Sequence, residues 1–221
     1  MSILDVFSLF LVLSVATLCV GYDYFIFTES WPKGFCSRQI QIGGRLCLGT
    51  LPRHFTIHGL WPEDVSQQLL NCDPNNTLTP RQIHPVRSHL SWAWPNLIGN
   101  DFSFWKYQWL KHGTCSASSF PQLSYFQLAL NIKRRTNLLK MLSDKQIVPD
   151  NNTSYNVSSI IDAVRNATNN DPQLGCYFDT QRNVTVLVEI RVCLEKSGNS
   201  YTNCTFPTGS CYSHALYWPD V

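Results

Sequence analysis

The sequence predicts an α+β fold in which an antiparallel sheet packs with several helices in a disulfide-stapled single domain. Segments with the two-residue apolar period of strands and segments of helical character follow one another in no regular alternation. Eight cysteines remain after the first 21 residues, an even number that suits cross-linking. The 200 residues that remain (221 − 21) are enough for one hydrophobic core and too few for two full domains.

The N-terminal segment predicts export from the cell. Val6 to Val20 is an apolar run interrupted only by small residues, and Cys19-Val20-Gly21 is a small-residue cleavage site. A membrane anchor is the competing interpretation, but the run is shorter than the about 20 residues that a spanning helix needs, and Asp5 lies at its start. We therefore expect a signal peptide at residues 1–21, a secreted domain at residues 22–221 and no membrane anchor.

Cysteine usage agrees with that compartment. The chain has nine cysteines, and Cys19 is removed with the signal peptide. The eight that remain predict disulfides in a secreted protein. Free thiols or a zinc site are the alternative, but the mature chain has no C-x-x-C pair.

Seven Asn-x-Ser/Thr sequons predict a glycoprotein. The candidate glycosylation sites are Asn75, Asn151, Asn152, Asn156, Asn166 and Asn183. Asn151 and Asn152 overlap, so we expect at most one of the two to carry a glycan. The seventh sequon begins at Asn203. This asparagine directly precedes Cys204, a cysteine that we expect in a disulfide, so its position is constrained.

The first two predicted strands lie early in the mature chain. Tyr22–Thr28 alternates and is rich in aromatic residues. Arg53–His58 places Phe55 and Ile57 on one face, and we expect Gly59 to end that strand. His58 is therefore predicted at a strand terminus.

Two loops are predicted around the second strand. Cys36 to Cys47 contains glycines and is predicted as a hairpin-like loop. Glu63 to Pro85 is polar, rich in Asn, Gln and Pro and without a sustained period, so we expect an exposed loop.

Three helices are predicted in the middle of the chain. Phe102–His112 is followed by Gly113, which favours a helix end. Pro121–Leu142 is a longer helix with Ser119 as its candidate N-cap, and Ser158–Thr168 is a short one.

A hairpin is predicted near the C-terminus. Val184–Leu194 has the strongest strand pattern of the chain, with four β-branched residues on one face. Ser197-Gly198-Asn199 follows as a turn, and a return strand is expected up to Phe206.

The mature formal charge is mildly basic, since 17 basic residues face 14 acidic ones once Asp5 is removed, which gives +3. This charge suits a polyanionic substrate. The chain has no long Lys/Arg run of the kind that coats duplex nucleic acid.

One predicted helix combines polar and aromatic faces. On an ideal helix its polar residues form one continuous face, while two tryptophans lie on the core side. The polar residues are Tyr107, Gln108, Lys111 and His112, and the tryptophans are Trp105 and Trp109. One interpretation is a catalytic face that looks into a cleft. The other is that Lys111 and His112 only complement the dipole at the helix C-terminus.

Two segments decide between these interpretations. They are Phe55-Thr56-Ile57-His58-Gly59-Leu60-Trp61-Pro62 and Phe104-Trp105-Lys106-Tyr107-Gln108-Trp109-Leu110-Lys111-His112-Gly113-Thr114-Cys115. Both closely resemble the active-site segments of the ribonuclease T2 family, in the same order, and the resemblance extends from Tyr22 to Cys211. Within that family the chain looks most like the S-RNases, the stylar self-incompatibility ribonucleases of flowering plants.

The chemistry of RNA cleavage fits these residue types. The 2′-hydroxyl is the nucleophile, so an enzyme needs a base, an acid and a positive charge beside the phosphate. The resemblance implies that His112 is the general base, His58 the general acid and Lys111 the stabilising charge. It also implies a 2′,3′-cyclic phosphate product, no action on DNA, and no metal or cofactor.

Other site residues also follow from the resemblance. Gln108 occupies the position of the family's usual glutamate, and Tyr107 that of a phosphate-contacting histidine. The two departures put the electrostatics of the site in doubt and leave the acid–base pair intact. Asn96, Leu97 and Phe104 resemble the base-binding positions.

The resemblance also selects one of the 105 ways of pairing eight cysteines. The implied pairs are Cys36–Cys47, Cys72–Cys115, Cys176–Cys211 and Cys193–Cys204. Of these, Cys193–Cys204 would staple the predicted hairpin across its turn.

The remaining histidines and tryptophans have simpler interpretations. His54 and His58 are four residues apart on a strand, an arrangement that does not favour a zinc site. We expect surface or structural roles for His84, His89 and His214. Trp92 and Trp94 either stack on bases or, as we expect, pack in the core.

Three functions remain open at this point. The first is an active ribonuclease that is the pistil determinant of self-incompatibility, whose partners by resemblance would be RNA and pollen F-box proteins. The second is an S-like ribonuclease for phosphate recovery or defence. The third is a catalytically silent, secreted RNA- or partner-binding glycoprotein. In each case we expect a monomer.

Overall fold

The computed structural model describes residues 21–221, so the predicted signal peptide lies outside the described residues except for Gly21. The strands are β1 (Tyr24–Ser30), β2 (Thr56–Glu63), β3 (Ser154–Asn156), β4 (Gln173–Asp179), β5 (Val184–Glu195), β6 (Tyr201–Thr202) and β7 (Ala215–Tyr217). The helices are α1 (Pro32–Gly43), α2 (Arg87–Ala93), α3 (Asp101–Lys111), α4 (Gln122–Arg135), α5 (Leu138–Ser143) and α6 (Val157–Thr168). Short 3-10 helices occupy His84–Val86 and Gly113–Ser116.

β5 is the centre of the sheet. The strand order is β2-β1-β5-β7-β3, and β4 and β6 also pair with β5. All pairs are antiparallel except the single parallel bridge between Val186 of β5 and Tyr217 of β7. With helices packed against the sheet in one domain, the predicted α+β class is confirmed.

β5 is buried on both faces, not on one. Residues 185–190 are all buried, including Glu189, because α1 covers one side of the strand and the rest of the core covers the other. The return strand is shorter than predicted. It consists of β6 alone, and Phe206 lies beyond it with an exposed side chain.

The segment between Cys36 and Cys47 is mainly helical, so the predicted hairpin-like loop was wrong. Pro32 at the first turn favours helix initiation, and Gly44 ends α1 in the left-handed conformation with φ of 62°. The glycines that suggested a hairpin are therefore the stop signal of a helix.

The predicted helix Pro121–Leu142 is two helices, α4 and α5. The break lies at Thr136 and Asn137, where buried Thr136 bonds Tyr201 through their hydroxyls at 2.7 Å. The Asn137 side chain accepts a hydrogen bond from the Lys140 backbone and caps α5. At the start of α4 the cap position is Pro121, so Ser119 is not the N-cap.

The region between Glu63 and Pro85 has no helix or strand before the 3-10 helix at His84, as predicted. It is not exposed throughout, because three of its large apolar side chains are buried in the core. These are Leu69, Leu78 and Ile83.

Tryptophan indoles form much of the core. Trp94, Trp105 and Trp109 are fully buried, which confirms the core side of α3 and the expected packing of Trp94. Their indole N–H groups donate to the carbonyls of His58 (3.1 Å), Trp94 (2.7 Å) and Asn76 (2.6 Å) respectively. The core therefore reaches the backbone of His58 directly.

Four disulfides link the chain, and their pairs are those that the resemblance implied. Cys72–Cys115 joins the irregular region after β2 to the 3-10 helix that follows α3. No helix of residues 21–221 has both the length and the apolar character needed to cross a bilayer.

Candidate active site

His58 lies inside β2, so the prediction that Gly59 ends the strand was wrong. β2 continues to Glu63, and Gly59 pairs with Thr28 of β1. Glycine is required there for space, because a Cβ atom would lie 2.0 Å from Nε1 of Trp61 and 2.7 Å from Oε1 of Gln108. The glycine therefore allows Trp61 to fold back along its own strand.

A buried carboxylate holds the His58 ring. Nδ1 of His58 lies 2.5 Å from Oε1 of Glu189, which reaches it from β5. The hydroxyl of Ser30 on β1, between the two strands, donates to the same oxygen at 3.3 Å. Nη2 of Arg191 donates to Oε2 at 3.1 Å. Both carboxylate oxygens are thus engaged.

These contacts keep Glu189 ionised. Burial raises the pKa of a carboxyl group, but the charges and hydrogen bonds of His58 and Arg191 outweigh burial and lower the pKa of Glu189 to about 2. A hydrogen bond from Nδ1 to this carboxylate leaves Nε2 as the other ring nitrogen of His58, free to exchange a proton.

His112 follows α3 directly as its C-terminal cap. Its backbone N–H donates to the Gln108 carbonyl at 3.0 Å, and its side chain is 6% exposed. Burial, followed by the positive charges of Lys111 and His58, lowers the pKa of His112 to about 3. His112 is therefore neutral and able to accept a proton.

Trp61 lies between the two histidines. Its ring centroid is 5.3 Å from that of His58 in an edge contact, and 5.3 Å from that of His112 in a stacked one. Its indole N–H donates to Oε1 of Gln108 at 3.1 Å, and the Arg191 guanidinium lies 5.5 Å from its ring centroid. Trp61 therefore contacts both histidine rings.

Gln108 does not belong to an exposed polar face, so that part of the prediction was wrong. Its side chain is 2% exposed and bonds Trp61. Tyr107 is half-exposed, and its ring lies 5.4 Å from the ammonium of Lys111. The continuous polar face does not form because α3 ends at Lys111 and His112 leaves the helical path.

A cleft of about 470 Å³ adjoins His58. The four residues with expected contacts to substrate all line it, namely Asn96, Leu97, Phe104 and Tyr107. The ring of Phe104 is roughly parallel to that of His58, with centroids 6.2 Å apart. Gln108, Lys111 and His112 are not among the residues that line this cleft.

The other histidines and Trp92 lie apart from this pair. His54 stacks on Trp92 with centroids 4.4 Å apart, and burial lowers the pKa of His54. Trp92 itself is 62% exposed, so it does not pack in the core. His84, His89 and His214 are exposed. Within residues 21–221, no three His, Cys, Asp or Glu side chains are grouped as metal ligands.

The sequence did not indicate the contact of Glu189 with His58 or the position of Trp61 between the two histidines. Glu189 had one visible signal, because it is the only acidic residue between Val184 and Leu194 in an otherwise apolar strand with one arginine. A lone carboxylate in a buried strand needs a partner. Only the folded sheet shows that the partner is His58.

Comparisons with known proteins agree with this geometry. Residues 22–204 match the family model described as the ribonuclease T2 family. Extracellular ribonuclease LE of Solanum lycopersicum is 34% identical over 218 residues, which cover 93% of this chain and 94% of that protein. Ribonuclease S-7 of Pyrus pyrifolia is also 34% identical, with 94% and 91% covered. Because the chain is equally identical to both relatives, sequence identity does not assign it to the subtype of either one.

Solved structures extend the match to three dimensions. Ribonuclease MC1 from the seeds of bitter gourd has a TM-score of 0.80 and 31% identity, and the match covers 89% of this chain and 100% of that chain. The fold therefore matches that structure over its full length.

Proposed function

The chain belongs to the ribonuclease T2 family and is an endoribonuclease, and from this premise we propose that it cleaves single-stranded RNA by transesterification. The observation that carries the proposal is the pair of histidines on either side of Trp61, one hydrogen-bonded to a buried carboxylate and one buried and neutral. Such a pair supplies an acid and a base at the same pH.

In the proposed reaction, neutral His112 removes the proton of the 2′-hydroxyl, and the oxygen attacks the adjacent phosphorus. His58 gives a proton from Nε2 to the departing 5′-oxygen, while Glu189 bonded to Nδ1 holds the ring. Lys111 stabilises the negative charge of the pentacovalent phosphate. The P–O5′ bond breaks as the P–O2′ bond forms, which leaves a 2′,3′-cyclic phosphate.

The test of this activity uses RNA and DNA of one sequence. The purified mature protein is incubated with each oligonucleotide in excess chelator. Cleavage of RNA with intact DNA supports the proposal, because DNA lacks the 2′-hydroxyl. Cleavage of both, or of neither, contradicts it.

The buried position of His112 predicts an unusual pH profile. Since the pKa of His112 is lowered to about 3, the base stays neutral as pH falls, and the acidic limb of kcat/KM lies well below the ordinary histidine value of about 6.5. Lys111 contributes to that lowering, so Lys111→Met moves the acidic limb to higher pH besides reducing the rate.

The measurement is kcat/KM between pH 3 and pH 8. Lys106→Met is the matched control, since Lys106 is an exposed lysine on the same helix. Two results would show that the surroundings of His112 do not lower its pKa. One is an acidic limb near pH 6.5 in the wild type, and the other is an acidic limb at the same pH in Lys111→Met and Lys106→Met.

Glu189→Gln tests the support of His58. A hydrogen bond to a charged group contributes about 1.5–3 kcal/mol, so we expect kcat to fall about 10- to 100-fold, less than on loss of His58 itself. Glu189→Asp keeps a carboxylate at this position and is expected to restore part of the lost kcat.

Glu195→Gln is the control, because Glu195 is exposed at the end of the same strand. Wild-type kcat in Glu189→Gln, or the same loss of kcat in Glu195→Gln, would remove the carboxylate from the mechanism.

We also propose that the protein is secreted as a glycoprotein after removal of residues 1–21. All six candidate glycosylation sites are exposed in the structure, which supports glycan attachment. Asn203 is exposed as well, but its side-chain oxygen accepts a hydrogen bond from the backbone of Asp171 at 2.8 Å.

For the biological role we propose the pistil determinant of self-incompatibility, with pollen F-box proteins as partners. Support comes from the mildly basic mature charge and from the irregular region between Glu63 and His84, which exposes many side chains between the two active-site segments. The alternative is an S-like ribonuclease for phosphate recovery or defence. Expression confined to the style, with allelic variation in that region, distinguishes the first role from the second.

A further inference from the structure

A second cavity lies apart from the cleft beside His58. Its volume is about 870 Å³, and it is formed by α2, α4, the start of α5 and the residues His54 and Phe55. We call it the α2–α4 groove. None of the residues assigned to the proposed reaction lines it, so its lining has no role in the chemistry described above.

The α2–α4 groove is suited to an anion. Its thirteen lining residues include no Asp or Glu, but they include Lys133 and Arg134. Lys133 is ion-paired with buried Glu29, which leaves Arg134 as the available permanent cation. The guanidinium of Arg134 donates to the Asn131 side chain at 3.0 Å and forms no ion pair within residues 21–221.

An aromatic platform lies in the same groove. Trp92 is 62% exposed although it is a large apolar side chain. One side of its ring is covered by His54, which is nearly parallel to it at 18° and fixed by a contact of 3.4 Å between Nε2 and the Trp92 carbonyl. A supported indole with an exposed surface is the kind of side chain on which nucleic-acid bases stack.

The groove is close to the cleft along the chain. Phe55 lines the groove and His58 lines the cleft, so three residues, or at most about 10 Å of chain, separate the two. None of the sequon asparagines lines the groove, so no glycan attaches to its wall.

We propose that the α2–α4 groove binds the single-stranded RNA chain outside the cleavage position, with a base stacked on Trp92 and a phosphate paired with Arg134. The absence of carboxylates and the stacked aromatic pair favour nucleic acid over a protein ligand. Such binding would raise kcat/KM for a long RNA above that for a dinucleotide. This kinetic consequence rests on the proposed ribonuclease function, whereas binding in the groove does not.

Binding is tested with a single-stranded DNA 20-mer, which a ribonuclease of this mechanism does not cleave. Trp92→Ala is expected to weaken its affinity about tenfold, the loss of one stacked base. Arg134→Ala is expected to reduce the slope of log affinity against log salt by about 0.7, the value for one phosphate on a single strand. Tyr212→Ala and Lys145→Ala are matched controls, since both residues are exposed outside the groove.

The kinetic arm compares a 20-nucleotide RNA with a dinucleotide. The ratio of their kcat/KM values is expected to fall about tenfold in Trp92→Ala and to stay at the wild-type value in the two controls. Wild-type DNA affinity in Trp92→Ala together with a wild-type salt slope in Arg134→Ala overturns the groove proposal. If the unmutated protein does not cleave RNA, the ribonuclease proposal is overturned instead. The DNA-binding measurements still test the groove proposal in that case.

Discussion

His58→Ala and His112→Ala are each expected to lower kcat/KM for RNA by about 10²- to 10⁴-fold, the contribution of a general acid or base. The double variant is expected to lose little more than the worse single one, because the two groups act in one step. Secretion and melting stay close to wild type, since neither ring supplies apolar packing at the centre of the core. His84→Ala is the control, as that ring is exposed.

Steady-state kinetics on a defined oligonucleotide measure this effect. Half of the wild-type activity in either variant would remove that histidine from the reaction. If kcat/KM fell as much in His84→Ala as in His58→Ala, the loss would not be specific to the proposed catalytic histidines.

The second large effect is on stability. We expect the double variant Cys72→Ser, Cys115→Ser to lose about 4 kcal/mol, the chain-entropy value for the closed loop, and to melt about 10 °C lower. The two cysteines are 43 positions apart, and Asn71 beside the bridge donates its backbone N–H to the Lys111 carbonyl at 2.8 Å. We therefore expect kcat/KM to fall as well, even below the melting temperature.

Removal of the Cys36–Cys47 bridge is the control. That bridge spans 11 positions beside α1, and its loss is expected to cost about 3 kcal/mol. Its neighbours line the cleft but form no backbone hydrogen bond with Lys111 or His112, so kcat is expected to stay near the wild-type value. Thermal unfolding and the kcat of RNA cleavage are measured on both double variants. Equal effects on kcat would contradict a role for Cys72–Cys115 in holding the active site.

The sequence predicted most of the fold where a periodic segment coincides with one element. α3, α6 and β5 agree with their predicted ranges to within two residues, because their apolar patterns and end signals coincide. The sequence does not predict α1, because glycines such as Gly43 and Gly44 are typical of turns as well as of helix ends. β3 and β7, of three residues each, are too short to show a period.

At the site, residue types were predictable and contacts were not. Gln108 occupies a helical position that predicts exposure, yet its burial depends on Trp61 of β2, which folds back over Gly59 of the same strand. Glu189 lies 131 positions from His58, and only the strand order β2-β1-β5 brings them together. Local patterns do not contain such long-range contacts.

The burial of Gln108 also changes the interpretation of the two departures from the family pattern. Tyr107 removes the positive charge of the usual histidine and Gln108 the negative charge of the usual glutamate. These two changes would cancel near the phosphate only if both side chains lay in one accessible site. Tyr107 lines the cleft, whereas Gln108 bonds Trp61 in the interior. A glutamate at position 108 would therefore be buried and would accept a hydrogen bond from the Trp61 indole. Its effect on catalysis would be transmitted through Trp61 and His112.

The most direct test of the two-histidine reaction is the chemical identity of the new RNA ends. A defined RNA is cleaved briefly by the wild-type protein in chelator, and the fragments are weighed by mass spectrometry. We expect 2′,3′-cyclic phosphate on one fragment and a 5′-hydroxyl on the other, with both products absent over the same time for His58→Ala and His112→Ala. Fragments with a 5′-phosphate and a 3′-hydroxyl would contradict it, because that outcome requires attack by water and not by the 2′-hydroxyl.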